Sequence, residues 1–283
     1  MQEGVTIERQ EGKEYILSLS YGKDSLACLE AIRLLGWPLD RIVHAEVWAT
    51  DTIPADLPPM VEFKAKADAI IKERYGIVVE HFRAKHTYEE LFYHVKKTGR
   101  GPGDYRGFPM VRGPWCNSDL KRPALRMACG KDSVQYVGIA ADEPERLARL
   151  EKHNKVSPLA AIGWVEAYCR EWCGENDLLS PTYTTSTRGG CWFCHNQGVD
   201  QLRILRKTYP EYWALLLKWD NDSPIIFKAD GHTVHDYDAR FAAEDAGLVP
   251  ADRNFRWEMI GRKIIRTRVE LPGQITMEEL MDE

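Results

Sequence analysis

Apolar residues come in short runs broken by turn-forming residues, and the runs alternate between two periods. Tyr15 to Leu19 is a compact apolar run of strand length. After a Ser/Gly turn, Leu26, Leu29, Ile32 and Leu35 recur at helical spacing. Arg41 to Ala49 and Ile77 to Phe82 are rich in β-branched and aromatic residues and read as strands, with a helix over about Leu57 to Arg74 between them. Thr87 to Lys97 reads as helix, and 98–114, with its five glycines and three prolines, as loop. Ser118 to Cys129 reads as helix and Val134 to Ala140 as strand. A helix is expected over Pro158 to Trp172, a cysteine-bearing turn over Arg188 to Asn196, and helices over Val199 to Thr208 and Pro210 to Trp219. Strands alternating with helices predict an α/β fold with a parallel sheet and helices on both faces. The expected organisation is a main domain over 1–200 and a smaller helical or α+β extension over 201–283.

The six residues Ser20-Tyr21-Gly22-Lys23-Asp24-Ser25 lie directly after the first strand and directly before the first helix. There a Gly-bearing turn lets backbone N–H groups converge on phosphate oxygens. The helix start adds partial positive charge and Lys23 a full one. Asp24 can hold magnesium, and Ser20 and Ser25 carry hydroxyl donors. The spacing is neither that of the Walker loop nor that of the dinucleotide fingerprint. Gly130-Lys131-Asp132-Ser133 repeats four of these letters after a helix and before a strand, where no helix start reinforces the N–H groups, and reads as an ordinary turn.

The loop resembles the S-G-G-K-D-S signature of the PP-loop superfamily, with Tyr21 where glycine is usual. A side chain there either keeps φ negative or alters the grip on phosphate. Three further stretches are similar to marks of the phosphoadenosine phosphosulfate (PAPS) reductase family. They are Asp51-Thr52 after the second strand, Trp115-Cys116 with Lys121, and Gly138 to Glu143 followed by Arg146. The resemblance spans roughly residues 15 to 200. It implies an adenine-nucleotide α-hydrolase-like domain that binds ATP on Ser20 to Ser25, Asp51, Gly138 and Arg146, with Lys23, Asp24 and Lys121 in catalysis. Sulfonucleotide reductases attack with a cysteine near the carboxy terminus, whereas the last cysteine here is Cys194, and Ala140 stands where the family often has arginine. The reading that follows is adenylation of an acceptor for sulfur transfer. Its alternatives are sulfonucleotide reduction with an unusual nucleophile and a non-enzymatic nucleotide sensor.

Charge and cysteines refine this picture. The chain has 283 residues and a formal net charge of -5, which argues against a general polyanion binder. Locally, 96–126 holds eight basic residues against two acidic ones, with Tyr105, Phe108 and Trp115 among them. Arg253, Arg256, Arg262, Lys263, Arg266 and Arg268 form a second cluster with Phe255 and Trp257. Together they suggest a large anionic partner such as tRNA or DNA.

No run approaches the roughly 18 apolar residues of a membrane span, and the first residues are polar. The expectation is a cytoplasmic protein with no membrane partner. Its seven cysteines then serve metal or thiol chemistry rather than disulfides. Cys191 and Cys194 form a C-x-x-C after Gly189-Gly190. By the family resemblance Cys116 folds beside them, giving three thiolates for a zinc ion, with His195 or Cys129 as fourth ligand, or for a 4Fe-4S cluster with one open iron. An open iron could pass sulfide from a donor protein to an activated substrate. Cys28, Cys169 and Cys173, set inside predicted helices, read as packing residues.

Overall fold

The computed structural model describes residues 6–98, 101–109, 114–130, 132–150, 155–184 and 189–261. The chain divides into two compact units: Met1–Thr87 with Asn117–Cys191, and Tyr88–Cys116 with Trp192–Glu283. The sequence reading carries the first domain through residue 200. The units instead divide at 191/192, and the excursion 88–116 joins the second.

The first unit is built on five parallel strands: β1 (Glu14–Ser18), β2 (Arg41–Glu46), β3 (Val79–Arg83), β4 (Ser133–Tyr136) and β5 (Lys155–Val156). They lie in the order β3-β2-β1-β4-β5. In chain order the helices are α1 (Lys23–Leu35), α2 (Pro58–Tyr75), α3 (Tyr88–Phe92), α4 (Arg122–Ala128), α5 (Pro144–Leu147), α6 (Pro158–Ile162), α7 (Glu166–Glu175), α8 (Val199–Thr208), α9 (Pro210–Asp222) and α10 (Val234–Asp245). A π-helical turn, Asn117–Lys121, leads into α4.

Alternation along the strands sends side chains to two different helical layers. Tyr15, Leu17 and Leu19 of the β1 segment, with Ile42 and Val79, pack with α1, α2, α6 and α7. Ile16 and Val43 point the other way and pack with Ala128 and Cys129 at the end of α4. The expected α/β architecture, parallel strands with helices on both faces, is what the unit forms. Cys28, Cys169 and Cys173 are fully buried in the first layer, where burial pushes their thiols up, as packing residues require.

Two predicted helices come out differently. The helix expected over 87–97 stops at Phe92. Beyond it Val95 bridges Tyr105, and Lys96 exchanges backbone hydrogen bonds with Asp104 and Gly103, so these amides serve a turn instead. The helix expected over 158–172 breaks at Gly163, whose φ of +77° ends α6, with its N–H donating to the carbonyls of Leu159 and Ala160. The second unit carries α3 and α8 to α10 around an aromatic centre. In it Trp192 stacks on Trp219 at 5.6 Å and Tyr88 meets Phe193 at 4.1 Å. The extension after α9 is helical among the described residues. No described helix is long and apolar enough to cross a membrane.

Candidate functional site

Strand order reverses at β1: the chain steps to β2 and β3 on one side, and β4 and β5 lie on the other. In open α/β sheets the crevice outside the strand carboxyl ends at such a point is where ligands sit. The two segments leaving β1 and β4 there are Ser20–Ser25 and Gly138–Glu143.

The first segment is braced from within. The Ser25 hydroxyl accepts from the Ser20 N–H at 3.1 Å and from the Ser20 hydroxyl at 3.0 Å, and donates to the Gly22 carbonyl at 3.0 Å. Its single proton is committed to the loop, so Ser25 acts here as a strut, while Ser20 is exposed. Tyr21 has a φ of +56°, the left-handed bend that glycine would take at no steric cost. Its ring is fully buried. Gly22 is extended (φ -79°, ψ 156°) and opens α1, and the Lys23 N–H donates to the Tyr183 hydroxyl at 3.2 Å.

Lys23 is 8% exposed, and its ammonium contacts Asp24 at 2.8 Å and Glu166 at 3.1 Å. Burial pulls its pKa down, but hydrogen bonds to these two carboxylates outweigh that and leave it raised. Burial raises the Asp24 carboxyl too, with Lys23 opposing and the charges of Glu166 and Glu143 adding to the rise.

The second segment supplies Glu143. Gly138 comes so near the start of α1 that a Cβ would stand 2.5 Å from the Ser25 nitrogen. The turn closes with the Ala140 N–H donating to a Glu143 carboxylate oxygen at 3.2 Å, and Arg146 pairs with the same side chain. Asp142 accepts from the Glu166 N–H at 3.1 Å and so fixes the start of α7. Asp24, Glu143 and Glu166 thereby gather oxygens within 4.8 Å of one another, the one such set of three His, Cys, Asp or Glu among the described residues. Three hard oxygen donors, two half-buried and one exposed, suit magnesium.

Of the residues expected from sequence, the fold brings together Ser20 to Ser25 and Gly138, with Arg146 holding Glu143. Asp51 follows β2 in an exposed turn, 3.7 Å from Arg83. Lys121 is exposed at the end of the π-helical turn. Glu143, Glu166 and Tyr183 were not foreseen as site residues. Glu143 sits inside a quoted motif, but nothing in the sequence around Glu166 or Tyr183 marks them.

The cysteines of the expected metal site, Cys116, Cys191 and Cys194, form no disulfide and are each half-buried. Cys116 and Cys194 belong to the second unit, and Cys191 ends the first. Cys129, one candidate for the fourth ligand, is instead packed in the hydrophobic cluster between α4 and the sheet, which raises its thiol. The basic stretch 96–126 is shared between the two units. Of its members Arg100 and Arg112 lie outside the described residues, as do Arg262, Lys263, Arg266 and Arg268 of the second cluster.

No family model matches the chain, and no curated protein matches it. Among solved structures it is similar to the U34-tRNA thiolase NcsA from Methanococcus maripaludis, determined with its 4Fe-4S cluster. The TM-score is 0.37 and the sequence identity 16%, over 76% of this chain and 75% of that one.

Proposed function

We propose that this chain is a PP-loop enzyme of the PAPS reductase-like kind. In this reading it binds ATP in the crevice beyond β1 and β4, adenylates an acceptor with release of pyrophosphate, and so prepares that acceptor for sulfur transfer. The observation that carries the reading is the left-handed bend at Tyr21, followed at once by the start of α1, at the point where strand order reverses. A left-handed residue before a helix start turns successive N–H groups to one side, which suits phosphate oxygens.

Within this site Lys23 exchanges carboxylate partners for phosphate oxygens, and the exposed Ser20 hydroxyl turns outward to donate. Asp24, Glu143 and Glu166 hold magnesium, which when bound draws charge from the phosphate oxygens. An acceptor oxygen attacks the α-phosphorus, the bond to the β-phosphate breaks, and pyrophosphate leaves with the electron pair. Lys23, with Lys121 as a second cation, stabilises that developing charge. A sulfur nucleophile then displaces AMP from the adenylated acceptor.

Cys116, Cys191 and Cys194 are the residues to hold a 4Fe-4S cluster or zinc. The burial of Trp192 and Phe193, which anchor the C-x-x-C while leaving both its cysteines half-buried, supports this. A sulfur donor protein and a nucleic acid, bound through the basic segments, complete the proposed set of partners; a small-metabolite acceptor is the alternative to nucleic acid.

The test is product analysis with magnesium, ATP and candidate acceptors: tRNA, DNA and small metabolites. AMP and pyrophosphate appearing in equal amounts, and lost in Lys23→Ala, is the expected result. ADP with phosphate, or no turnover with any acceptor, contradicts it, and sulfite released from PAPS would transfer the protein to the reductases.

A further inference from the structure

A tyrosine in the left-handed region must be held there, because its Cβ crowds the following carbonyl at a cost of about 1–2 kcal/mol. The Tyr21 phenol is tied down at its far end. Its hydroxyl donates to one carboxylate oxygen of Asp68 on α2 and lies 3.2 Å from His81 Nε2 on β3. The other Asp68 oxygen is 2.9 Å from His81 Nε2, and His81 Nδ1 is 2.9 Å from Glu46 at the end of β2. The ring also meets His44 edge-on at 4.8 Å and lies under the Lys64 ammonium at 5.2 Å. Four groups on the loop, α2, β3 and β2 thus form one chain, Tyr21–Asp68–His81–Glu46, ending in a backbone bend. None of the last three is placed to touch a nucleotide in the reading above.

We propose that Asp68 and His81 are positioning residues for the phosphate loop. By anchoring the Tyr21 hydroxyl they keep residue 21 left-handed and its neighbours' N–H groups converged, a task that glycine performs through its own backbone freedom. Releasing the anchor lets φ relax, so only a fraction of molecules keeps the binding-competent loop and the apparent nucleotide affinity falls by that fraction. The inference rests on the reading of 20–25 as a nucleotide phosphate loop.

The experiment is a double-mutant cycle read by calorimetric titration of magnesium-ATP, well below each variant's melting temperature. Asp68→Ala and Tyr21→Phe, which removes only the hydroxyl, are each expected to weaken binding about five- to thirty-fold. Asp68→Asn keeps a carbonyl for the phenol and an N–H for His81, and should recover most of the loss. Tyr21→Gly, whose backbone can take the left-handed bend without an anchor, is the second background. In that background Asp68→Ala should change affinity less than about two-fold, because there is no hydroxyl left to hold. An equal loss from Asp68→Ala in both backgrounds overturns the anchor, as does undiminished binding by a folded Tyr21→Phe. If Lys23→Ala binds as tightly as the natural chain, the phosphate-loop reading itself fails, which is a separate outcome.

Discussion

A methyl group at position 138 would stand 2.5 Å from the backbone nitrogen of Ser25 and 2.7 Å from the Asp24 carbonyl carbon, so the loop after β4 touches α1 main chain to main chain. Gly138→Ala should therefore push the two halves of the site apart. We expect a stability loss of about 1–3 kcal/mol in chemical denaturation, typical of overpacking, together with weaker nucleotide binding. Gly130, in the second copy of the Gly-Lys-Asp-Ser letters, has open space where a Cβ would go. Gly130→Ala should change stability by less than about 0.5 kcal/mol, and this contrast tests whether the two copies differ as their settings indicate.

His44 shows another residue-scale consequence. Its Nδ1–H donates to the Leu19 carbonyl at 2.8 Å, while Lys64 donates to Nε2 at 2.8 Å, an arrangement only a neutral ring accepts. Burial, then the Lys64 charge, lowers its pKa to about 3. Below the ordinary histidine value of about 6.5 the unfolded chain takes up a proton that the folded chain refuses, so stability falls as pH drops from about 6.5 towards 3. The expected loss between pH 6.5 and 5 is roughly 2 kcal/mol, to be read as a flatter profile in His44→Gln. At this scale the sequence identified the loop letters but left the sign of φ at Tyr21 open, because that sign is set by Asp68 and His81, 47 and 60 residues away.

Elements were legible where their signals were local. Strands β1 to β4 and α1, α2, α8 and α9 came from periodicity and turn residues close to their ends, whereas the two-residue β5 is too short to leave such a pattern. The long helix expected over 158–172 did not survive because Gly163 ends α6 with a φ of +77°. The apolar spacing of Leu159, Ile162, Val165 and Cys169 hides that break. Gly163→Ala should cost about 1 kcal/mol, seen as a lower thermal midpoint, since alanine tolerates the left-handed conformation poorly. Glu166, three residues after the break at Gly163, became a site residue only because α7 restarts beside the β4 loop, where Asp142 meets its N–H. That juxtaposition is tertiary and leaves no mark in the spacing.

For the whole molecule, alternating strands and helices were enough to predict a parallel sheet, and the strand order then located the crevice. The division into units was not legible, since residues 88–116 join 192–283 through aromatic contacts distant in sequence, such as Tyr88 with Trp219 at 5.1 Å. The cysteine proposal belongs to this scale. Protein purified without oxygen should carry iron and sulfide with visible absorbance, or one zinc, and lose it in Cys191→Ser and Cys194→Ser; a colourless protein without either metal contradicts it.

The nucleotide is the hinge of the account, and direct binding tests it most simply. Magnesium-ATP titrated into the natural chain and into Lys23→Ala should give a saturable isotherm for the first and at least about ten-fold weaker binding for the second, the loss of a buried charge-assisted contact. No heat with the natural chain, or superimposable isotherms for the two proteins, would contradict the assignment of residues 20–25 to a nucleotide's phosphates.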